Sequence, residues 1–264
     1  MAIDLVSDTI DREDINGIIN WLNQKEIPRL TKGPITTEYE TKFSNWLSTN
    51  YSVFVNSGSS AILLGLAALK FGGKLKNNKI IVPDVSWATD VSTPLILGMD
   101  TFIVDCNQED LSADLYHLEQ LFKEEQPAAF ILVSVLGLVP DMDRIVDLCK
   151  TYDVLLIEDT CESMGSEYRG QKLGTFGCMS FFSTYFGHHI STIEGGMVCT
   201  NDDEINDLLL MIRSHGWDRD LDETSAQKLA EKNNVKDFDR LFTFYVPGLN
   251  VRATDLQAKI GLKQ

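Results

Sequence analysis

The chain has 264 residues, 44% of them hydrophobic and 9% aromatic, which excludes a disordered, collagen-like or small disulfide-rich protein. Its 39 acidic and 23 basic residues give a formal net charge of −16, which argues against a nucleic-acid partner or an anionic membrane surface because both need a basic face. No apolar run reaches the roughly 18 residues of a membrane span, and five cysteines without a CxxC motif predict reduced thiols in a cytoplasmic protein and no metal site.

The first part of the chain is predicted to be helical. Residues 11–22 have the apolar spacing of an amphipathic helix, residues 27–37 contain Pro28, Gly33 and Pro34 and predict a loop, and residues 42–47 continue as a second short helix. From residue 53 onward, short apolar runs alternate with helical patterns. We expect strands at 53–56, 79–82, 101–104, 128–133, 154–157, 179–183 and 196–199, and helices at 60–71, 113–122, 142–152 and 203–212.

This alternation predicts an α/β fold with a mostly parallel seven-stranded sheet covered by helices. Residues 218–239 are the most polar stretch and predict an exposed excursion. Residues 252–264 have helical spacing up to the last residue, without a stop signal, so we expect the chain to end inside a helix and to be part of a longer protein.

Three clusters follow predicted strands, at the sheet edge where α/β proteins bind ligands. The sequence SGSS at 57–60 is either a phosphate cup at a helix N-terminus or an ordinary serine cap after a glycine turn. Asp159 is placed to hold a cationic ring nitrogen or a metal, or it caps a loop. His188 and His189 follow Ser183 and are either a general base with its neighbour or a pair of surface histidines.

The order of these clusters resembles a pyridoxal-phosphate site of the fold-type I group. The similarity extends from residue 31 to residue 264 and is carried by SGSSA at 57–61, VPDVSWAT at 82–89, EDTCES at 158–163, GTFG at 174–177, IEGGMVCT at 193–200, RSHG at 213–216 and GLNVRATDLQAKIG at 248–261. With these motifs the chain resembles the DegT/StrS-type sugar aminotransferases. The resemblance implies an N-terminal helical arm at 1–30, a cofactor-binding large domain at 31–247, and at 248–264 the start of a helix leading to a C-terminal small domain that the chain does not include.

One departure from the family pattern changes the expected activity. Family aminotransferases carry a lysine six residues before the Glu of Glu-Gly-Gly, whereas here that Glu is Glu194 and the matching residue is His188. No lysine lies between Lys172 and Lys228, and an imidazole cannot replace the amine that tethers the cofactor. The exchange resembles the 3-dehydratase subgroup of the family. It implies removal of the C3 hydroxyl of a nucleotide-linked 4-keto-6-deoxyhexose, with pyridoxal and pyridoxamine phosphate as cofactor and glutamate as amino donor, for surface polysaccharide.

The resemblance also implies how the cofactor phosphate is bound. Gly58, Ser59 and Ser183 would hold it within one subunit, and Asn250 would reach it from the neighbouring subunit. Arg252 would bind a substrate carboxylate there. Sites shared in this way make a homodimer the expected working unit.

The remaining roles concern the cofactor ring. By the same resemblance, Trp87 stacks on the ring, Asp159 keeps its nitrogen protonated, Glu162 lies near its hydroxyl, and His188 is the catalytic base. Two alternatives stay open at this point: an aminotransferase that tolerates the histidine, and a truncated inactive fragment, for example a binding protein. The identity of the nucleotide sugar rests on resemblance alone.

Overall fold

The computed structural model describes residues 6–264, so the first five residues of the expected N-terminal arm lie outside it. Within the described residues the α-helices are α1 (Arg12–Leu22), α2 (Pro34–Leu47), α3 (Gly58–Phe71), α4 (Ala88–Ile96), α5 (Leu115–Glu125), α6 (Met142–Thr151), α7 (Asp203–Arg213), α8 (Glu223–Lys232), α9 (Asp237–Arg240) and α10 (Asp255–Gly261). A 3₁₀ turn spans Val135–Gly137.

Seven strands form the central sheet and two short ones form a separate hairpin. They are β1 (Tyr51–Val55), β2 (Lys79–Pro83), β3 (Asp100–Val104), β4 (Ala129–Val133), β5 (Leu155–Asp159), β6 (Glu167–Tyr168), β7 (Gln171–Lys172), β8 (Met179–Ser183) and β9 (Gly196–Thr200). The sheet order is β1-β9-β8-β5-β4-β2-β3, and β6 pairs with β7. The predicted α/β fold with a seven-stranded sheet is confirmed.

The sheet is mostly parallel because only β9 runs against the other strands. Four of its six pairings are parallel, and β9 is antiparallel to both of its neighbours, β1 and β8. Strand β1 therefore points the same way as β8 and β5. The carboxyl ends of these strands meet at one edge, which is where ligands bind in such sheets.

Helices cover both faces of the sheet, and β4 shows why its sequence is continuously apolar. All five of its residues are buried. Ile131 packs on one face with α3 and α7, whereas Phe130 and Leu132 pack on the other face with α5 and α6. Alternating side chains of a strand point to opposite faces, so a strand buried on both has no polar position. Each fully buried large apolar side chain stabilises the fold by about 1.5–3 kcal/mol.

Two local expectations were wrong, and a third was incomplete. The loop expected to reach residue 37 ends earlier, because Pro34 is the first residue of α2, where its missing N–H costs no hydrogen bond. The polar stretch at 218–239 is mostly exposed, as expected, but it also contains α8 and the start of α9, and α8 buries Ala226 and Ala230 on one face. Helix α10 ends at Gly261, with the last three residues of the chain outside it.

All five cysteines are free, in agreement with the expected reduced thiols. Among the helices of residues 6–264, none is both long enough and apolar enough to span a bilayer.

Candidate functional site

The first turn of α3 forms an anion-binding position at the end of β1. Ser57 caps the helix by accepting the Ser60 N–H on its hydroxyl at 3.1 Å. Within residues 6–264, neither the Gly58 nor the Ser59 N–H donates to another residue. Free N–H groups at the positive end of a helix dipole attract an anion such as a phosphate. The serine-cap and phosphate-cup interpretations of SGSS are therefore compatible, because the cap occupies only one N–H.

Close backbone packing keeps this position free of side chains. A methyl group on Gly58 would lie 2.7 Å from the Cβ of Ser183, the last residue of β8. A methyl group on Gly196, which begins β9, would lie 2.3 Å from the carbonyl oxygen of Ser57. Both glycines are required because any larger residue would push the helix away from the strand ends. The arrangement brings together Gly58 and Ser183, two of the residues that the family resemblance implies for the cofactor phosphate.

The last two residues of β5 are both acidic, and they serve different sides of the sheet. Glu158 is buried and accepts three backbone N–H groups, from Gly174 at 2.6 Å, Phe176 at 2.7 Å and Gly177 at 2.7 Å. Asp159 is also buried, and its Oδ1 accepts the Cys161 N–H at 2.9 Å. Neighbouring residues of a strand face opposite ways, so Glu158 holds the loop at 174–177 while Asp159 faces away from it.

Asp90 is a residue that the sequence analysis missed. It lies in the first turn of α4, its exposed fraction is 0%, and neither carboxylate oxygen has a hydrogen-bond partner among the described residues. Burial first, and then the charge of Asp159 beside it, raise the pKa of Asp90 to about 9. The only sequence signal is its position, three residues after Trp87 in VSWATD.

The loop between β8 and β9 carries His188. The hydroxyls of Thr184 and Thr192 hydrogen-bond at 2.6 Å and close the loop at its base. Within it, the His188 N–H donates to the Tyr185 carbonyl at 3.0 Å, and the Tyr185 ring packs edge-on against the imidazole. The loop is therefore a closed turn rather than an open excursion, and His188 is half-buried whereas His189 is exposed.

The pKa of His188 is influenced by two predicted acidic site residues, Glu162 and Asp159. Burial lowers the pKa of His188, and the carboxylates of Glu162 and Asp159 act against that effect. Because burial is the largest cause, the imidazole is neutral near pH 7 and available as a base. Glu162 is held in place by the Leu136 N–H, which donates to its Oε2 at 2.9 Å.

Trp87 lies at the N-cap of α4, with an exposed fraction of 70%. Its carbonyl oxygen accepts the Asp90 N–H at 3.0 Å. This hydrogen bond connects the N-cap residue to the first turn of α4, where Asp90 lies beside Asp159. The ring is therefore free to contact a ligand at this edge of the sheet.

Asn250 and Arg252 lie together beside the end of β1. Arg252 forms a bridge with Val55, and its Nε donates to Oδ1 of Asn250 at 3.0 Å. Its guanidinium also lies 3.5 Å from Nε2 of His215. Within residues 6–264, neither the Asn250 nor the Arg252 side chain hydrogen-bonds to Ser183 or His188. In one subunit, Asn250 and Arg252 therefore lie together at the end of β1 but make no hydrogen bond to these two predicted site residues.

Comparison with known families gives a match over almost the whole chain. The family model described as the DegT/DnrJ/EryC1/StrS aminotransferase family matches residues 8–264.

Two curated relatives have the same name. GDP-4-keto-6-deoxy-D-mannose 3-dehydratase of Yersinia pseudotuberculosis is 37% identical over 263 residues, which cover 98% of this chain and 65% of that protein. The protein of that name from Escherichia coli O55:H7 is 36% identical, with 98% of this chain and 66% of that protein covered. The chain thus spans about 65% of the length of these curated relatives.

A solved structure with the same arrangement is GDP-4-keto-6-deoxymannose-3-dehydratase with a trapped PLP-glutamate geminal diamine. It superimposes with a TM-score of 0.86 at 34% identity, covering 99% of this chain and 67% of that chain. The fold is therefore that of the large domain of PLP-dependent aminotransferases.

Proposed function

Because the chain belongs to the DegT/DnrJ/EryC1/StrS aminotransferase family, we propose that it is a pyridoxal-phosphate-dependent 3-dehydratase. Its substrate would be a nucleotide-linked 4-keto-6-deoxyhexose similar to GDP-4-keto-6-deoxymannose, with glutamate as amino donor. The observation that carries the proposal is His188, a half-buried imidazole near Asp159 and Glu162 at the position where family aminotransferases carry lysine. The names of the two curated relatives support the substrate class.

The residues present fit the cofactor's phosphate. The Gly58 and Ser59 N–H groups have no partner in the described part of the chain, and Ser183 lies directly against Gly58. A phosphate at this position would receive two backbone hydrogen bonds, the helix dipole and a hydroxyl. Without a covalent tether, these contacts would carry much of the affinity.

The residues present also fit the cofactor's ring. Asp159 is buried, and among residues 6–264 it forms no ion pair with a lysine or arginine, so it has a negative charge to offer to a protonated ring nitrogen. Trp87 offers an exposed indole face for stacking. Glu162, fixed by the Leu136 N–H, would lie near the ring hydroxyl.

When bound and aminated by glutamate, the cofactor supplies an electron sink next to C4 of the sugar. His188 would accept a proton from the C4′ carbon of the aminated cofactor on its neutral ring nitrogen and return it to the C3 oxygen as that hydroxyl leaves. Overall, glutamate is oxidised to 2-oxoglutarate and ammonia, and C3 of the sugar is reduced from carbinol to methylene. The closed loop between Thr184 and Thr192 holds the imidazole in place for both proton transfers.

The assembly and the domain limits belong to the same proposal. We assign residues 31–247 to the cofactor-binding large domain, 1–30 to an N-terminal arm, and 248–264 to the connection toward a further domain. Asn250 would complete the phosphate site of a second subunit in a homodimer, and Arg252, which holds it at 3.0 Å, would bind a substrate carboxylate there. Five free cysteines support a cytoplasmic location.

The test is a product analysis of the purified chain. Incubated with pyridoxal phosphate, glutamate and GDP-4-keto-6-deoxymannose, it should release ammonia and a 4-keto-3,6-dideoxy sugar nucleotide, identified by mass spectrometry. His188→Asn should abolish deoxygenation while cofactor binding persists. An amino sugar as the main product would instead establish the aminotransferase alternative.

A chain that binds neither pyridoxal phosphate nor pyridoxamine phosphate in an absorbance titration would be an inactive fragment. This outcome separates the third interpretation from the two enzymatic ones. Nucleotide sugars with other bases or other ring configurations, assayed in parallel, would define the substrate.

A further inference from the structure

The buried acid Asp90 has no assigned role in the reaction described above. Both of its carboxylate oxygens are removed from solvent, and neither receives a hydrogen bond from the described residues. An unpartnered ionised carboxylate in such a place would cost several kcal/mol. Its state therefore depends on the side chains that surround it.

The side chain in direct contact with Asp90 is another carboxylate, that of Asp159. The other titratable groups near the pair are the Cys161 thiol, the Glu162 carboxylate and the His188 imidazole. None of them is a permanent cation, and in the described part of the chain neither aspartate forms a salt bridge with lysine or arginine. Among residues 6–264, no group near the pair neutralises two negative charges.

Two ionised carboxylates offer each other only acceptors, so their contact is attractive only when one oxygen carries a proton. Asp159 already accepts the Cys161 N–H on Oδ1 at 2.9 Å, which favours its charged form, whereas Asp90 accepts nothing on its side chain. The proton therefore belongs on Asp90. In agreement, burial and then the charge of Asp159 raise the pKa of Asp90 to about 9.

We propose that Asp90 is a positioning residue that remains protonated in the folded protein and donates its hydroxyl to Asp159, so that the pair presents one negative charge to the site. This hydrogen bond fixes the rotation of the Asp159 carboxylate and keeps it ionised. The part of the inference that concerns the ligand rests on the proposed function, because the cation that faces this single charge would be the protonated ring nitrogen of pyridoxal phosphate. The proton on Asp90 itself needs no ligand.

The first experiment therefore uses the cofactor-free protein. Infrared spectra near pH 7 should contain the carbonyl band of a protonated carboxylic acid, and Asp90→Asn should lower its intensity by the contribution of one carboxyl group. Asp84→Asn, at an exposed aspartate of the preceding loop, is the matched control and should leave the band unchanged. A spectrum without the band, or a band whose intensity Asp90→Asn does not reduce, overturns the proposal whether or not the protein binds a cofactor.

The second experiment tests positioning with two variants of equal shape, Asp90→Thr and Asp90→Val, and with Asp90→Asn as a third. Asp90→Thr keeps a hydroxyl donor, whereas Asp90→Val has none, and Asp90→Asn keeps an amide donor. We expect pyridoxal phosphate to bind the Thr and Asn variants within about threefold of the wild type and the Val variant about tenfold or more weakly, as expected for one lost hydrogen bond to a charged group. The pKa of the ring nitrogen of the bound cofactor can be measured from the absorbance as a function of pH. It should be lower than in the wild type only in the Val variant.

Equal affinity and equal spectra for the Thr and Val variants would overturn the positioning role. If the wild type does not bind pyridoxal phosphate at all, the proposed function fails while the infrared result still decides the protonation of Asp90. If the Val variant does not fold, the Asn variant is compared with the wild type in the same pH titration. The Asn variant keeps a hydrogen-bond donor to Asp159, so the ring nitrogen should keep its wild-type pKa. A lowered pKa of the ring nitrogen in this variant would contradict the positioning role.

Discussion

Gly58 lies directly against the side chain of Ser183, because a methyl group on Gly58 would be 2.7 Å from the Cβ of Ser183 and 3.4 Å from its Cα. The contact joins the first turn of α3 to the end of β8. It places a free helix N-terminus next to a serine hydroxyl, which is the central feature of the candidate phosphate site.

Gly58→Ala should therefore both destabilise the protein and weaken cofactor binding. We expect about 1–3 kcal/mol less free energy of unfolding, as for other overpacked sites, and about tenfold weaker binding of pyridoxal phosphate. Urea denaturation and a fluorescence titration measure the two effects. In a Ser183→Gly background the clash with Cβ is absent, so the same substitution should cost less than half as much; an equal cost in both backgrounds would contradict the packing argument.

The titration of His188 is predicted from its surroundings. Burial lowers its pKa below the ordinary value of 6.5, and the Glu162 carboxylate is the strongest opposing influence. Nuclear magnetic resonance of the imidazole should give a midpoint below 6.5, so the acid limb of the activity profile lies below that pH as well. Glu162→Gln should lower the midpoint further.

His189→Asn provides the opposite control for this titration. The charge of His189 contributes to lowering the pKa of His188, so its removal should raise the midpoint. Shifts of the same sign in the two variants would show that the electrostatic environment of His188 differs from the one described.

The stability of the protein should depend on pH through Asp90. Its pKa rises from 3.8 to about 9 on folding, so between those values the folded state holds a proton that the unfolded chain has released. The contribution of this group to the free energy of unfolding is therefore largest below about pH 4, falls by up to ~1.4 kcal/mol per pH unit, and is lost above about pH 9. Asp90→Asn should gain stability relative to the wild type as the pH rises through this range.

Urea denaturation at several pH values measures the Asp90 effect. Asp84→Asn, at an exposed position, should give a curve parallel to that of the wild type. Parallel curves for Asp90→Asn and the wild type would show that Asp90 ionises normally in the folded protein.

Arg213 should be one of the most sensitive positions for stability. It is fully buried, its Nη1 lies 2.5 Å from Oε1 of Glu40 and donates to the Phe54 carbonyl at 3.1 Å, and its Nη2 lies 3.4 Å from Asp220. Arg213→Met would leave Glu40 without its cation and Asp220 with only Lys32, and it should cost about 3–5 kcal/mol in thermal or urea denaturation. Lys74→Met, which removes the partner of the exposed Glu204, should cost less than about 1 kcal/mol. Similar costs for the two would contradict the importance of burial.

The apolar strand segments could be located from the sequence because a strand buried on both faces is made mostly of apolar residues. The strand expected at 179–183 has the observed limits Met179–Ser183, and the others differ by one or two residues at one or both ends. The start of α2 at Pro34 was missed because proline indicates a loop as readily as the first turn of a helix. Helix α8 was missed because only Ala226 and Ala230 are buried on it, and alanine gives a weak periodic signal.

The sequence by itself determined the alternation of strands and helices, the serine cap before Gly58, and the presence of histidine rather than lysine at position 188. These are local properties, since burial period, capping and residue type are properties of neighbours in the chain. Only the tertiary structure decided that Asp90 contacts Asp159 and that Gly58 rests on Ser183. Those pairs come from separate elements that the parallel sheet brings to one edge, and no pattern of neighbouring residues encodes which side chains meet there.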